Sequence, residues 1–281
     1  MPEGHTLRRL ADDLSAAFAG RVVGVSSPQG RFAAESALLD GTELVLAESA
    51  GKHLFLDFAG GHVVHVHLGL IGGFRLGEGQ APAPVGQVRL RIEADGEGGP
   101  AAYADLRGAT RCALVTPEKR DAVIAKLGPD PLRQDADPMR AWARIATSKR
   151  PIGDLLMDQE VIAGVGNVYR AEVLFRHRIH PLRPGRTLQR KQFQAMWDDL
   201  VVLMGEGVRV NRIDTVRPEH TPEAMGREPR RDDHGGEVYV YRRHEQACHV
   251  CGATIRTEIL AGRNLFWCPR CQPKFRSRAR T

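Results

Sequence analysis

The sequence predicts an α+β chain: one N-terminal helix, a β-sandwich, a helical middle and a small cysteine-rich hairpin at the end. Two changes of period predict it. Apolar residues recur at helical spacing over 7–18, alternate at spacing two between residues 52 and 115, and return to helical spacing beyond the proline-rich stretch at 129–138. The third observation is that four of the five cysteines fall in two tight pairs after residue 247.

Leu7, Leu10, Leu14 and Phe18 form one helical stripe, and Gly20 is a natural stop. Strands follow. Leu54, Leu56 and Phe58 oppose His53, Phe55 and Asp57. Val64, Val66 and Leu68 oppose Val63, His65 and His67. Val88, Leu90 and Ile92 oppose Arg89, Arg91 and Glu93. Gly60-Gly61, Gly72-Gly73 and the run 95–100 read as turns, and 101–115 adds one or two more strands. Prolines 129, 131 and 138 mark a linker. Helical segments then start at Trp142 and Ile145, at Ile152, Leu155 and Leu156, over 168–175, and over 188–208. The last has Phe193, Met196, Trp197, Leu200, Val201 and Met204 on its apolar side. Residues 209–236 read as loop. The expected parts are 1–127, 128–236 and 237–281.

Composition bounds the function. With 281 residues, 42% hydrophobic and 26% charged, this is an ordinary globular chain. No window is apolar enough for a membrane span, and the opening MPEGHTLRRLADDL has no signal core, so a cytoplasmic protein without a membrane partner is expected. The formal charge of +6 is local. Residues 227–281 hold 12 basic and 6 acidic side chains, whereas residues 1–226 hold 28 of each. A neutral body with one basic end reads as a polyanion footprint, with nucleic acid the default, or as a solvated basic tail.

Cys248-x2-Cys251 and Cys268-x2-Cys271, with 16 residues between the pairs, match two metal knuckles. One structural zinc ion is expected, with no open position for a catalytic water, and the segment between has room for a β-hairpin. Two disulfides, or unrelated free thiols, are the competing reading. Cys112 is left over as a buried hydrophobe. His62, His65 and His67 could hint at a second metal, but only the last two share a face and no acid accompanies them, so a structural role is expected. No phosphate-binding Gly-rich loop follows a strand, so no nucleotide cofactor is implied.

Pro2 follows Met1, and a small second residue favours removal of the methionine. The freed amine would have a pKa near 8, roughly two units below lysine, and a helix start would push it lower. Glu3 stands beside it and could move protons. Proline and an acid at a helix start are also ordinary capping chemistry.

Four segments together resemble the Fpg/Nei family of bifunctional DNA glycosylases across nearly the whole chain, most of all its endonuclease VIII (Nei) branch. They are Met1-Pro-Glu-Gly4, Gly51-Lys-His-Leu-Phe55, QEVIAGVGNVYRAEVLFRHRIHP over 159–181, and AGRNLFWCPRCQ over 261–272. The resemblance implies a β-sandwich catalytic domain, a helix-two-turn-helix domain and a zinc-finger hairpin. It implies a monomer acting on damaged duplex DNA in base excision repair, nucleoid-associated in a bacterium. Pro2 would be the nucleophile, forming a Schiff base, and Glu3 would handle protons. Oxidised bases, pyrimidines foremost, would be released and the strand cut by β/δ-elimination. Lys52, Asn167 and Arg263 would hold phosphates. Taken singly, these read as a strand charge, an N-cap and a turn residue. Leu70, with Ile71 next, is the candidate wedge for the space left by a flipped base; two buried loop apolars is the competing reading. Arg107, in a turn-like stretch, is a further DNA-facing candidate. Thr6 departs from the acid usual at that position in the Nei branch, and Gly4-His5 departs from the 8-oxoguanine branch. An 8-oxoguanine-preferring enzyme and a non-catalytic zinc-finger DNA-binding protein are the alternatives.

Overall fold

A computed structural model of the chain describes residues 2–231 and 236–275. The expectation for the basic tail from Arg276 onward, and for residues 232–235 of the long loop, lies outside the described residues. The chain divides into two compact units, Met1–Lys126 and Leu127–Thr281.

The first unit opens with helix α1 (Gly4–Phe18). Its buried Leu7, Ala11, Leu14 and Phe18 are the stripe read from the sequence. Strand β1 (Arg21–Ser26), helix α2 (Ala33–Leu39), and strands β2 (Thr42–Ala50), β3 (His53–Phe58), β4 (His62–His67), β5 (Gly73–Glu78), β6 (Val88–Ala94), β7 (Ala102–Arg107) and β8 (Arg111–Val115) follow, then helix α3 (Pro117–Ala125). The strand order is β5-β7-β6-β1-β2-β3-β4-β8, and every pairing is antiparallel. β1 is the seam. Its first half pairs with β2 and its second half with β6. The sheet thereby folds over into a sandwich, and Leu54, Leu56, Val64 and Val66 meet Leu90, Ile92, Ala104 and Leu106 in one core under α1.

Several expectations need correction. Lys52 is not in a strand. Ala50 pairs with His53, so Gly51-Lys52 is a two-residue hairpin turn, with Gly51 at φ 57 taking the left-handed first position. Gly73 is no turn but the first residue of β5, and Arg107 ends β7 rather than sitting in a turn. The outer face of β3 and β4 is not solvated, because Phe55, Val63 and His65 are buried there.

The second unit contains helices α4 (Pro138–Thr147), α5 (Ile152–Leu155), α6 (Asn167–Arg176), α7 (Arg190–Val210) and α8 (Pro222–Met225), then the hairpin of β9 (Arg256–Leu260) and β10 (Arg263–Trp267). On α7 the buried stripe takes Leu203 rather than Val201, which is exposed. The expected linker at 128–131 is buried, not a loose tether. Gly128 donates to the Gln159 carbonyl, and a Cβ there would meet Val161 O at 2.4 Å.

One core serves the whole second unit. Ile145, Val173, Met196 and Leu200 from the helices share it with Tyr239, Tyr241, Ile255, Phe266, Cys248 and Cys268. At its centre the fully buried Glu172 carboxylate accepts from the amides of Tyr239, Val240 and Tyr241 at 2.7–2.9 Å and from the Thr215 hydroxyl at 2.7 Å. Removing it would strand three buried donors. Glu172→Ala should therefore destabilise this unit by at least about 3 kcal/mol, read by denaturant unfolding. A change below about 1 kcal/mol would show that the carboxylate is not what holds residues 239–241.

Candidate active site and nucleic-acid interface

Pro2 is half-buried and Glu3 fully buried, immediately before α1. Glu3 is the N-cap residue, yet its side chain makes no capping bond to the helix. That position puts a desolvated carboxylate next to Pro2 in the chain. His5, two residues on, is also buried. Burial first, then the positive chain terminus, hold its pKa down at about 4, so it is neutral at physiological pH.

Lys52 sits half-buried at the tip of the β2–β3 turn. Its charge depresses His67, after burial as the larger cause. His67 belongs to a cluster the sequence shows only in part. His53, next to the Leu54–Val66 pair of the β3–β4 register, stands with its ring centre 5.2 Å from that of His67, and His53 Nδ1 lies 2.8 Å from His65 Nε2. His62 takes no part in that contact. Burial pulls His53 to about 4 and His65 to about 3, with Arg111 adding to both. Reading one strand at a time misses His53; the register supplies it.

The folded pKa values of His5, His53 and His65 lie below the unfolded value near 6.5. The unfolded chain therefore binds protons first as pH falls. Stability from these groups is complete above about pH 6.5 and is lost between there and about pH 4. The melting temperature should fall between pH 7 and pH 5, and less steeply in His65→Gln; equal slopes would count against the cluster as the cause.

The loop 67–72 brings its apolar residues to the surface. Leu70 is 61% exposed and Ile71 88%, which removes the reading of two buried loop residues. The local cause is a tight turn. Gly72 N donates to Leu68 O, Gly69 stands at φ 70, and a Cβ on Gly72 would meet Leu68 O at 2.3 Å.

In the second unit, Asn167 is the first residue of α6 and is almost wholly buried. It follows a turn tied by Gln159, whose side chain bonds Met157 O, Val165 O and Gly164 N at 3.0–3.1 Å. Arg170, one turn into α6, donates to Asn167 Oδ1 and, at 2.8 Å, to the Asn264 carbonyl on β10. It joins the helix start to the strand that begins with Arg263. Arg263 is exposed at the hairpin turn, after Ala261 and Gly262, both at positive φ. The sequence singled out Asn167 and Arg263 but not Arg170. An arginine inside an apolar helix, 1% exposed, was the available signal.

Cys248, Cys251, Cys268 and Cys271 place their Sγ atoms within 4.8 Å of one another. The 248–271 and 251–268 pairs stand at 3.9 and 3.4 Å, far beyond a disulfide bond. A tetrahedron of thiolates about 2.3 Å from zinc needs sulfurs about 3.8 Å apart, so this set fits one zinc ion with all four positions filled. Cys112 is half-buried against the sandwich core, and burial raises its thiol to about 12.

Three family models match in this order. Residues 1–112 match the formamidopyrimidine-DNA glycosylase N-terminal domain, 127–217 that glycosylase's H2TH domain, and 245–274 the zinc finger found in FPG and IleRS. Endonuclease 8 1 of Mycobacterium tuberculosis is 53% identical over 279 residues, covering 97% of this chain and 100% of that protein. The chain belongs to the formamidopyrimidine-DNA glycosylase and endonuclease VIII family. Family members are DNA glycosylases with AP-lyase activity, and so is this chain. The formamidopyrimidine-DNA glycosylase of Thermosynechococcus vestitus is 32% identical, over 79% of this chain and 77% of that one. Among solved structures, the Lactococcus lactis Fpg in complex with an N7-benzyl-Fapy-dG DNA shares the fold. Its TM-score is 0.77 at 21% identity, covering 97% of this chain and 100% of that one. The four cysteines accordingly form a structural zinc finger. Among the described residues, no helix is long and apolar enough to cross a membrane.

Proposed function

We propose that the chain removes oxidised bases, pyrimidines foremost, from damaged duplex DNA through a Schiff base on Pro2, working as a monomer in the bacterial cytoplasm at the nucleoid. Residues 1–127 are the proposed catalytic part, 128–236 the helix-two-turn-helix part and 237–281 the finger and tail. The observation that carries the catalytic assignment is a fully buried carboxylate, Glu3, next to Pro2 in the chain at the start of α1.

The Pro2 nitrogen attacks the anomeric sugar carbon while the bond to the base breaks and the base leaves with its electron pair. Glu3 passes a proton to the sugar ring oxygen as the ring opens to an iminium ion. The cationic nitrogen acidifies the adjacent C2′ hydrogen. Its removal expels the 3′ phosphate, which is β-elimination, and a second elimination releases the other phosphate. Lys52 fixes a phosphate near the lesion, while Asn167 and Arg263 fix others. The amides at the start of α6 suit an anion, and the Arg263 fork suits a phosphate. Leu70 is the proposed wedge, its exposure supporting the role. The departure at Gly4-His5 from the 8-oxoguanine branch favours oxidised pyrimidines, whereas Thr6, where the Nei branch has an acid, does not.

A panel of single-lesion duplexes with analysis of product ends tests this reading. Oxidised pyrimidines should be excised fastest, leaving phosphate at both ends of the gap. Faster excision of 8-oxoguanine would move the preference to the other branch. Arg263→Ala should weaken binding to all sequences alike and lower the salt slope by about 1. An unchanged slope would remove Arg263 from the phosphate contacts.

A further inference from the structure

The second unit carries a basic pocket that none of the roles above uses. Arg227, Arg230, Arg231, Arg242 and Arg243 line about 310 Å³ together with Glu228, Gln246 and His249. Its walls are fixed. Arg243 is buried and donates to Tyr239 O, Ala247 O and Gln246 Oε1 at 2.6–3.1 Å. Arg227 pairs with Glu237 at 2.6 Å, and Arg230 donates to Gly236 O and Tyr241 O. Most of these acceptors are neutral carbonyls, which satisfy hydrogen bonds without cancelling charge. Glu228 and Glu237 are the carboxylates described here, against five guanidinium groups.

A second, independent observation concerns Arg242. It stands at φ 52, a conformation suited to glycine, with its guanidinium 5.6 Å from the Tyr241 ring centre. A strained backbone that holds a cation at the rim of a cationic pocket points to a use for that cation.

We propose that this pocket is a second phosphate-binding site, separate from Asn167 and Arg263. The planar forks of Arg231 and Arg242 at the rim would close on a phosphate that the inner arginines attract. The phosphate could come from DNA backbone beyond the lesion or from a free polyphosphate. Only the first source rests on the DNA reading above.

The test variant is Arg231→Ala with Arg242→Gly, because glycine suits the left-handed position and the fold is retained. Wild type and variant are compared by calorimetry with sodium tripolyphosphate. They are also compared by salt-dependent binding to abasic-analogue duplexes of about 12 and about 30 base pairs. A loss confined to the longer duplex, with a salt slope lower by about 1 to 2, assigns the pocket to flanking backbone. A loss confined to tripolyphosphate assigns it to a free anion. Single-turnover strand cleavage at saturating DNA should be unchanged in both cases, so a failure of the Pro2 chemistry would register separately. Equal behaviour of the two proteins with all three probes overturns the proposal.

Discussion

Borohydride should trap a covalent complex between the Met-processed protein and duplex DNA with an oxidised pyrimidine, and the attachment point should map to Pro2. Keeping one extra residue ahead of Pro2 turns the amine into an amide. Trapping should then vanish, and strand cleavage at abasic sites should fall by on the order of a thousandfold or more, as removal of a nucleophile does. The extension changes no core residue, so unfolding is not the confounding outcome it would be for a buried position. Glu3 offers the matching control. Glu3→Gln keeps the shape of the buried side chain but cannot shuttle a proton, so it should slow turnover by about a hundredfold or more while abasic-analogue DNA still binds. The pH profile is a separate readout. Trapping should weaken as pH drops below the amine pKa, near 8 in a model chain and lower at a helix start. Persistent trapping through a lysine in the extended protein would overturn the assignment to Pro2.

The parts legible in the sequence are those whose chemistry is local. The stripe Leu7, Leu14, Phe18 has one period, one face and one stop, and α1 follows it. The β10 end of the hairpin was legible because two cysteine pairs bracket it. Less legible was β1, where Val22 is 65% exposed and Val23 buried. Its six residues are divided between two partners, so no single face repeats along it. The same physics hid the outer face of β3 and β4. Alternation marks one buried face, but Phe55 and His65 are buried on the other, and a residue buried on both faces leaves no period to read.

The candidate site divides in the same way. Pro2, Glu3, the cysteines and Arg263 are legible because each sits in a short motif with chemistry of its own. Arg170, Gln159 and His53 are not. Each acts through a partner distant in sequence or on a neighbouring strand: Arg170 through Asn264, Gln159 through the turn at 164–165, and His53 through His65. Such residues become visible only with the register and the backbone in hand. Arg170 and Gln159 tie down the start of α6 and the turn before it, and His53 ties β3 to β4.

Removing zinc should cost more than the finger. The hairpin has little core of its own. Phe266, Cys248 and Cys268 are buried in the same cluster as Tyr241 and Met196, and the buried Gln272 ties Cys268 N to Ile179 O at 2.9 Å on each side. Burial raises the Cys248 thiol to about 11, so its thiolate depends on a cation beside it. Structural zinc contributes about 10–16 kcal/mol in isolated fingers, comparable to the whole stability of a typical domain. Cys268→Ser, or chelation, should therefore release one zinc per chain and lower the melting temperature of the entire second unit in a single transition. It should also abolish detectable binding of abasic-analogue DNA, because Arg263 loses its hairpin and Asn264 no longer receives Arg170. Acid should act alike, since ligation needs thiolates and zinc is released as they protonate. The informative comparison is Arg263→Ala, which should weaken binding while leaving zinc content and melting unchanged. If the zinc-free protein instead melts in two steps, with the helical part at its original temperature, the shared core does not couple the finger to the helices, and the loss of binding belongs to the hairpin alone.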